Sequence, residues 1–423
     1  MKLITAAFLS FIILFSAAQA GEPVYDYPIN NPYVATIITT PPEIKVDYHD
    51  SPKPVERRIV IFPEREIPEG FWYERGLKYG ELLQDHPAAI VYVIAGTGAD
   101  IHAEKMQYLS AILYYAGFHV ILLPSPTHQN FIVNASSNFI VGNPRQDAVD
   151  LYKVMQMIDA EVKKKATVTG HRLCGFSLGA LNAAFTAKLD DEQKVLNFSH
   201  VLLINPPYNL YASIKIIDNL LYSAMPQGVN NADAFVKSAL MRLSSVSQSG
   251  DALDFSNERL LLDAYNKYAP SDARLASTIG LSFRLSAANM VFASDVMSHS
   301  GYIFPKNQEF TTSTHLNDYM AVALRTSFQN YFDDIYSDQY LRGRDKSELA
   351  AESGLESISG YLHNNPKIKL ITNQDDIILA PGDVEKMGVI FGNNAVIFAN
   401  GGHGGNLGHP TVAYHIFKFM GGK

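Results

Sequence analysis

The chain has 423 residues, 47% of them hydrophobic, a net charge of −8 and one cysteine, Cys174. That is ample material for a large core, and the acidic balance without a clustered basic surface argues against a nucleic-acid partner. A lone cysteine excludes an intramolecular disulfide, so packing must hold the fold.

Residues 1–20, MKLITAAFLSFIILFSAAQA, have the layout of a secretory signal peptide. Lys2 is followed by an apolar run and then Ala18-Gln19-Ala20 before Gly21. The run is short for a bilayer span, so the expectation is cleavage and export to the periplasm or beyond. Loss of Lys2 leaves a mature charge of −9, and no cysteine follows the cleavage point to carry a lipid.

Residues 21–54 are rich in Pro, Tyr and Asn with little period, which predicts an extended arm over the surface. From about residue 55 short apolar runs take over: RIVIF (58–62), AAIVYVIAG (88–96) and HVILLPS (119–125). Such runs suit strands buried on both faces of a mostly parallel sheet. AEKMQYLSAILYYAG, ended by Gly117, and NPRQDAVDLYKVMQMIDAEV read as helices between them. In the second, Leu151, Val154, Met155, Ile158 and Val162 line one face, with Pro144 near the start. Alternating strand and helix indicates an α/β sheet with right-handed crossovers.

GHRLCGFSLGALNAA (170–184) places Ser177 between Gly175 and Gly179, where a strand over 172–176 meets a helix. Glycines on either side permit a turn too tight for Cβ atoms, which pushes the central side chain out at the carboxyl edge of the sheet. Ala180, Ala183 and Ala184 let the helix approach closely. On these residues the chain resembles the α/β-hydrolase family, whose GxSxG nucleophile elbow reads here Gly175-Phe176-Ser177-Leu178-Gly179. A turn serine that merely caps a helix is the other reading of the same residues.

The resemblance implies a mostly parallel sheet flanked by helices, and a nucleophile, acid and histidine in that chain order. KIKLITNQDDIILAP (367–381) reads as a strand and a turn carrying Asp375 and Asp376. NAVIFANGGHGGNLGHP (394–410) reads as the last strand and a Gly-rich loop carrying His403. Of thirteen histidines, His403 alone stands between two pairs of glycines, and His409 beside Pro410 is its rival. Asp376 is favoured as the acid because Ile377, Ile378, Leu379 and then Pro381 follow it; Asp375 is the alternative, and Asp218 a distant one. The implied oxyanion donors are the N–H groups of Leu178 and of Thr97 in Ala95-Gly96-Thr97-Gly98, with Gly98 as the alternative to Thr97. A dinucleotide fingerprint would need glycine at position 101, which is Ile101. No metal-ligand spacing accompanies His403 and His409, so neither cofactor nor metal is expected.

The resemblance covers 55–206 and 364–423, separated by a largely helical insertion at 207–363. Within it Leu281, Leu285, Ala288, Phe292 and Val296 form one apolar stripe, and Leu324, Phe328, Tyr331 and Ile335 another. Inserted after the sixth strand, it is expected to lie over the catalytic edge as a cap shaping an apolar substrate pocket. The sequence thus points to an exported serine hydrolase that cleaves a carboxylic ester of an apolar, possibly lipid-like, acyl group. A peptidase or amidase of the same fold, and a silent binding protein that retains the fold, are the alternatives. No pattern specifies an oligomeric state or marks a membrane-binding surface.

Overall fold

The computed structural model describes residues 23–48 and 51–421, apart from 226, 233, 236, 239, 240, 242–262 and 264. The expected leader at 1–20 lies outside the described residues. The first element corrects the extended reading of residues 21–54, because α1 (Pro32–Ile38) is a helix. Asn31 caps it, accepting from the Tyr33 and Val34 N–H groups at 3.0 and 3.2 Å. Pro32 fits the first helical position, where no intrahelical donor is needed, so the Asn-Pro pair starts a helix rather than marking a loop.

Among the described residues eight strands follow: β1 (Val55–Ile59), β2 (Leu77–Leu82), β3 (Ala88–Ile94), β4 (His119–Leu123), β5 (Val168–Phe176), β6 (Val201–Ile204), β7 (Ile368–Asn373) and β8 (Ala395–Phe398). They form one sheet in the order β1-β2-β4-β3-β5-β6-β7-β8. Strand β2 is antiparallel to both neighbours, and all pairings from β4 across to β8 are parallel. This is the expected fold class, a mostly parallel sheet flanked by helices. The RIVIF run behaves differently from expectation: β1 is an exposed edge strand and ends at Ile59. Strand β2, whose Lys78, Gly80 and Glu81 break any apolar run, has no counterpart in the sequence reading.

Among the described residues the other α-helices of six or more residues are α2 (Glu104–Tyr115), α3 (Gln129–Asn134), α4 (Pro144–Val162), α5 (Leu178–Gln193), α6 (Leu210–Leu220), α7 (Asp272–Ser298), α8 (Asn317–Arg325), α9 (Lys346–Glu352), α10 (Asp383–Phe391) and α11 (Pro410–Met420). Strand β3 explains the unbroken apolar runs. Its Ile90, Tyr92 and Ile94 join the core under α4, α5 and α10, while Val91 and Val93 join the core under α2 and α11. A strand covered on both faces needs no polar alternation. The chain moves outward from β3 to β4 and then crosses back to β5, so the sheet order reverses beside the carboxyl ends of β3 and β5. Helices diverge to opposite faces at such a point and leave a crevice.

Helices α6 to α9 lie between β6 and β7, where α7 forms a second core with Phe328, Tyr331 and Ile335. That core also takes Phe71, Ile132 and Val141 from the segments around β2 and α3. The first predicted stripe is buried except for Leu285, which is 51% exposed. The second is not one straight helix: α8 ends at Arg325, Ser327 caps a new turn at Phe328, and Tyr331–Tyr336 adopts π-helical geometry.

A buried ion pair fixes this region. Arg284 of α7 donates to Asp218 of α6 at 3.2 Å, with side chains 2% and 3% exposed. Asp218 also accepts from the Phe328 and Gln329 N–H groups, at 3.3 and 2.9 Å. One carboxylate therefore ties α6, α7 and the turn at Phe328 together. Removing one partner of a buried pair strands the other, at a cost of about 3–5 kcal/mol. Asp218→Ala should destabilise the protein on that scale, and more than Arg284→Met, whose remaining carboxylate keeps two N–H donors. Urea unfolding of both variants reads the ranking.

Candidate active site

The tight turn after β5 brings the first group into place. Ser177 has φ 56° and ψ −125°, a conformation that side-chain-bearing residues rarely adopt, and helix α5 begins at the next residue. Neither flanking glycine has room for a side chain. A Cβ on Gly175 would lie 2.1 Å from the Gly179 carbonyl oxygen, and one on Gly179 would lie 2.2 Å from that of Ile94. The turn is held from below by the Ser177 N–H, which donates to the Ile204 carbonyl at 2.8 Å. A Cβ on Gly96 would stand 3.1 Å from Ser177 Cβ, so the loop after β3 packs directly on the elbow.

The Gly-rich loop after β8 carries His403 to this turn. Ser177 Oγ and His403 Nε2 are 2.9 Å apart, and Nδ1 lies 3.0 and 3.1 Å from the two carboxylate oxygens of Asp376. An ionised carboxylate only accepts. Nδ1 therefore carries the proton, which leaves Nε2 to accept from the Ser177 hydroxyl. Asp376 is held in turn by the Asn205 side-chain amide at 2.8 Å and the Ile378 N–H at 3.2 Å.

The other candidates have different partners. Asp375 turns away from the ring and accepts from the Gly401 and Gly402 N–H groups at 3.2 and 2.9 Å, which fixes the histidine loop. Burial pushes its carboxyl above the usual range, against those two donors. His409 meets Asp26 at 3.0 Å and accepts from the Thr411 N–H at the start of α11; burial lowers its basicity. Asp218 is held by Arg284. The Gly98 N–H donates to Thr127 Oγ1 at 2.9 Å, whereas Thr97 and Leu178 line the cavity beside Ser177. Leu178 opens α5, so its N–H has no partner within the helix.

Two cavities meet at Ser177 and Thr97. One is a slot of about 60 Å³ walled by Ile214, Ile217, Met290, Tyr331 and Phe332. The other is a chamber of about 540 Å³ reached by His403 and bounded by α1, the start of α2 and α7. Phe292 lines neither. Its ring packs edge-on to Phe71 and Phe310, with centroids 6.2 and 5.5 Å away. Among the described residues no group of three or more His, Cys, Asp or Glu side chains could hold a metal.

Two contributors have no counterpart in the sequence reading. Asn205 follows the apolar run of β6 directly, and a polar residue at a carboxyl strand end was the available signal. Thr36 of α1 is the other: its Oγ1 accepts from the His403 N–H at 2.9 Å. Helix α1 also explains two glycines of the loop, since a Cβ on Gly402 or Gly405 would lie 2.3 or 2.0 Å from the Pro32 or Ala35 carbonyl oxygen. No periodicity links residues so far apart in sequence.

No protein-family model matches the chain, and no curated protein does. Among solved structures it is similar to a fungal esterase from Rhizomucor miehei, at 11% identity over 97% of this chain and 96% of the other, with TM-score 0.41. A bacterial membrane phospholipase A matches at 16% identity over 99% and 94%, TM-score 0.41. A putative hydrolase of Legionella pneumophila matches at 10% over 82% and 85%, TM-score 0.42. At these values the likeness carries no inference about activity.

The Thr36 contact yields a stability test. Thr36→Val keeps the shape but leaves the His403 N–H without its acceptor, a loss of about 1–3 kcal/mol when such a donor is buried. Thermal unfolding should show that loss, and amide exchange at His403 should quicken. Thr36→Ser should restore both.

Proposed function

On an α/β-hydrolase fold, we propose that the chain is a serine hydrolase that cleaves carboxylic esters with an apolar acyl group. The observation that carries this reading is the unbroken Ser177–His403–Asp376 hydrogen-bond chain at the mouth of an apolar slot. A serine hydroxyl is a poor nucleophile unless a neighbouring base takes its proton, and that base must be held in one tautomer.

His403 takes the Ser177 proton as Oγ attacks the ester carbonyl carbon. Asp376 stabilises the imidazolium and stays ionised. The Thr97 and Leu178 N–H groups face the oxyanion; the engagement of the Gly98 N–H with Thr127 favours Thr97 over Gly98. When the tetrahedral intermediate collapses, the bond from the carbonyl carbon to the alcohol oxygen breaks, and His403 returns its proton to that oxygen. Water, deprotonated by the same ring, then releases the acid and regenerates Ser177.

The core at 55–206 and 364–423 supplies these groups, and the insertion at 207–363 acts as a cap. Ile214, Ile217 and Met290 supply apolar slot walls, which supports an apolar acyl group. Export through residues 1–20 belongs to the same proposal, and N-terminal sequencing of secreted protein, beginning at Gly21, tests it.

A fluorophosphonate probe should label Ser177 and no other serine; failure to label under conditions that label a control hydrolase would overturn the reading. Ser177→Ala and His403→Ala should each remove nearly all ester turnover, and the double variant should be no slower than either single one, because such groups act as a unit.

The two aspartates should differ. Asp376→Asn should lower kcat by about 10⁴-fold, the scale of the matching change in a serine-protease triad. Asp375→Asn disturbs only the anchoring of the loop and should lose far less. Steady-state kinetics with folded variants read both, and the reverse ranking would move the acid to Asp375.

A further inference from the structure

Thr127 lines the slot together with Thr97, Ser177 and Leu178, and its hydroxyl belongs to a small buried cluster. It stands in the loop after β4, next to the turn that follows β3. That turn is closed by the Ala99 N–H, which donates to the Gly96 carbonyl at 3.0 Å, with Thr97 and Gly98 at its centre. Gly98 has φ 67°, and a Cβ on it would come within 2.5 Å of Ser286 Cβ on α7. Helix α7 thus leaves the turn no room to move outward, while the Gly98 N–H donates to Thr127 Oγ1 at 2.9 Å.

The positions of the protons give the Thr127 hydroxyl a direction. A hydroxyl has one proton to donate and two lone pairs that accept. Thr127 Oγ1 lies 2.9 Å from Ser125 Oγ, and either oxygen could supply the proton between them. Ser125 is fully buried. Its Oγ accepts from the Thr127 N–H at 3.3 Å and, among the described residues, has no hydrogen-bond partner besides these two groups of Thr127. Were Thr127 the donor, the Ser125 proton would be sealed inside the protein with no acceptor, which carries the full desolvation penalty of that group. With Ser125 as the donor, both lone pairs of Thr127 are filled, one by Ser125 and one by the Gly98 N–H. The Thr127 proton is then left to face the slot.

Resting on the serine-hydrolase reading, we propose that Thr127 is a further catalytic residue, whose hydroxyl donates to the substrate carbonyl oxygen as that oxygen gains charge. It would join the Thr97 and Leu178 N–H groups as a third donor. The strand order β4-β3-β5 sets the loops carrying Thr127, Thr97 and Ser177 at neighbouring carboxyl ends, and the Gly98 N–H that Thr127 accepts is one residue along from the Thr97 N–H. The hydroxyl is also held firmly. Ser125 donates its N–H to the Ala99 carbonyl at 3.0 Å and accepts from the His128 N–H at 2.9 Å. Pro126, between Ser125 and Thr127, has a fixed φ and keeps Ser125 extended. A donor fixed in place before charge develops needs no reorganisation at the moment of reaction. Thr127 keeps its proton throughout: it stabilises the oxyanion while Ser177 is bonded to the carbonyl carbon, and the interaction weakens when the carbonyl reforms.

An alkyl fluorophosphonate tests this on the full chain, because its phosphoryl oxygen takes the oxyanion position once Ser177 Oγ is bonded to phosphorus. In a crystal structure of that adduct the oxygen should lie within hydrogen-bond reach of Thr127 Oγ1, about 3.2 Å or less. Thr127→Val keeps the shape and removes the hydroxyl. It should lower kcat on p-nitrophenyl butyrate by about 10²-fold, the scale for losing one oxyanion donor. KM should change little, since the bond strengthens only as charge develops, and Thr127→Ser should restore most of the rate. An adduct oxygen out of reach of Thr127 Oγ1, or a folded Thr127→Val whose kcat is unchanged or whose loss lies in KM alone, would overturn the inference while Ser177 labelling leaves the hydrolase reading standing. Should Thr127→Val fail to fold, the unsubstituted adduct decides by itself. Failure of the probe to form an adduct at Ser177 would overturn the two together.

Discussion

The close approach of α5 to β3 is the constraint on which the site depends. With Gly179 lying against the carbonyls of Ile94 and Ala95, the helix starts almost on top of the sheet. The chain can make that turn only by putting Ser177 into a rare backbone conformation. Strain of this kind persists where surrounding structure over-determines it, and here the Ile204 carbonyl and the loop at Gly96 do so. The same approach sets the first N–H of α5 beside the Ser177 hydroxyl. The proposed nucleophile and the proposed oxyanion donor then follow from one packing contact.

The histidine loop is shaped from outside the sheet. Four of its glycines surround His403, and α1 lies so close that side chains at 402 and 405 would strike its backbone. Thr36 holds the His403 amide, Thr40 hydrogen-bonds the Gly405 carbonyl and the Gly408 N–H, and Tyr25 donates to the Asn400 carbonyl. On its other side α1 packs Val34 and Ile38 against Leu275 of α7, and Asn31 donates to Asp272. The N-terminal segment therefore joins the loop carrying His403 to the helix that walls both cavities.

Helix α7 serves three surroundings at once. Ala287, Val291 and Phe292 bury into the second core, Arg284 meets Asp218, and the stripe from Thr278 to Met290 faces the cavities. A helix with so many partners has no single apolar face. Leu285 shows the effect: it continues the apolar spacing of Leu281, Ala288 and Phe292 yet remains exposed.

Local chemistry was legible where a residue's role depends on its near neighbours. The apolar runs of β3 and β4 announced strands covered on both faces, and Leu151 to Val162 announced the buried side of α4. Gly175 and Gly179 announced a turn too tight for side chains, because steric exclusion acts over a few bonds. Asp375 and Asp376 were legible as a pair but not as separate parts. Only the crossing of the β7 and β8 loops turns one carboxylate to the imidazole and the other to the Gly401 and Gly402 amides. Thr36, Asn205 and the helix α1 were illegible as parts of the site, since their partners lie up to several hundred residues away and nothing local encodes the meeting. The division of space around Ser177 into a slot and a chamber was likewise decided by tertiary structure. It arises from where α7 crosses the loop at Gly98, and a cavity is a property of several packed surfaces rather than of any one segment.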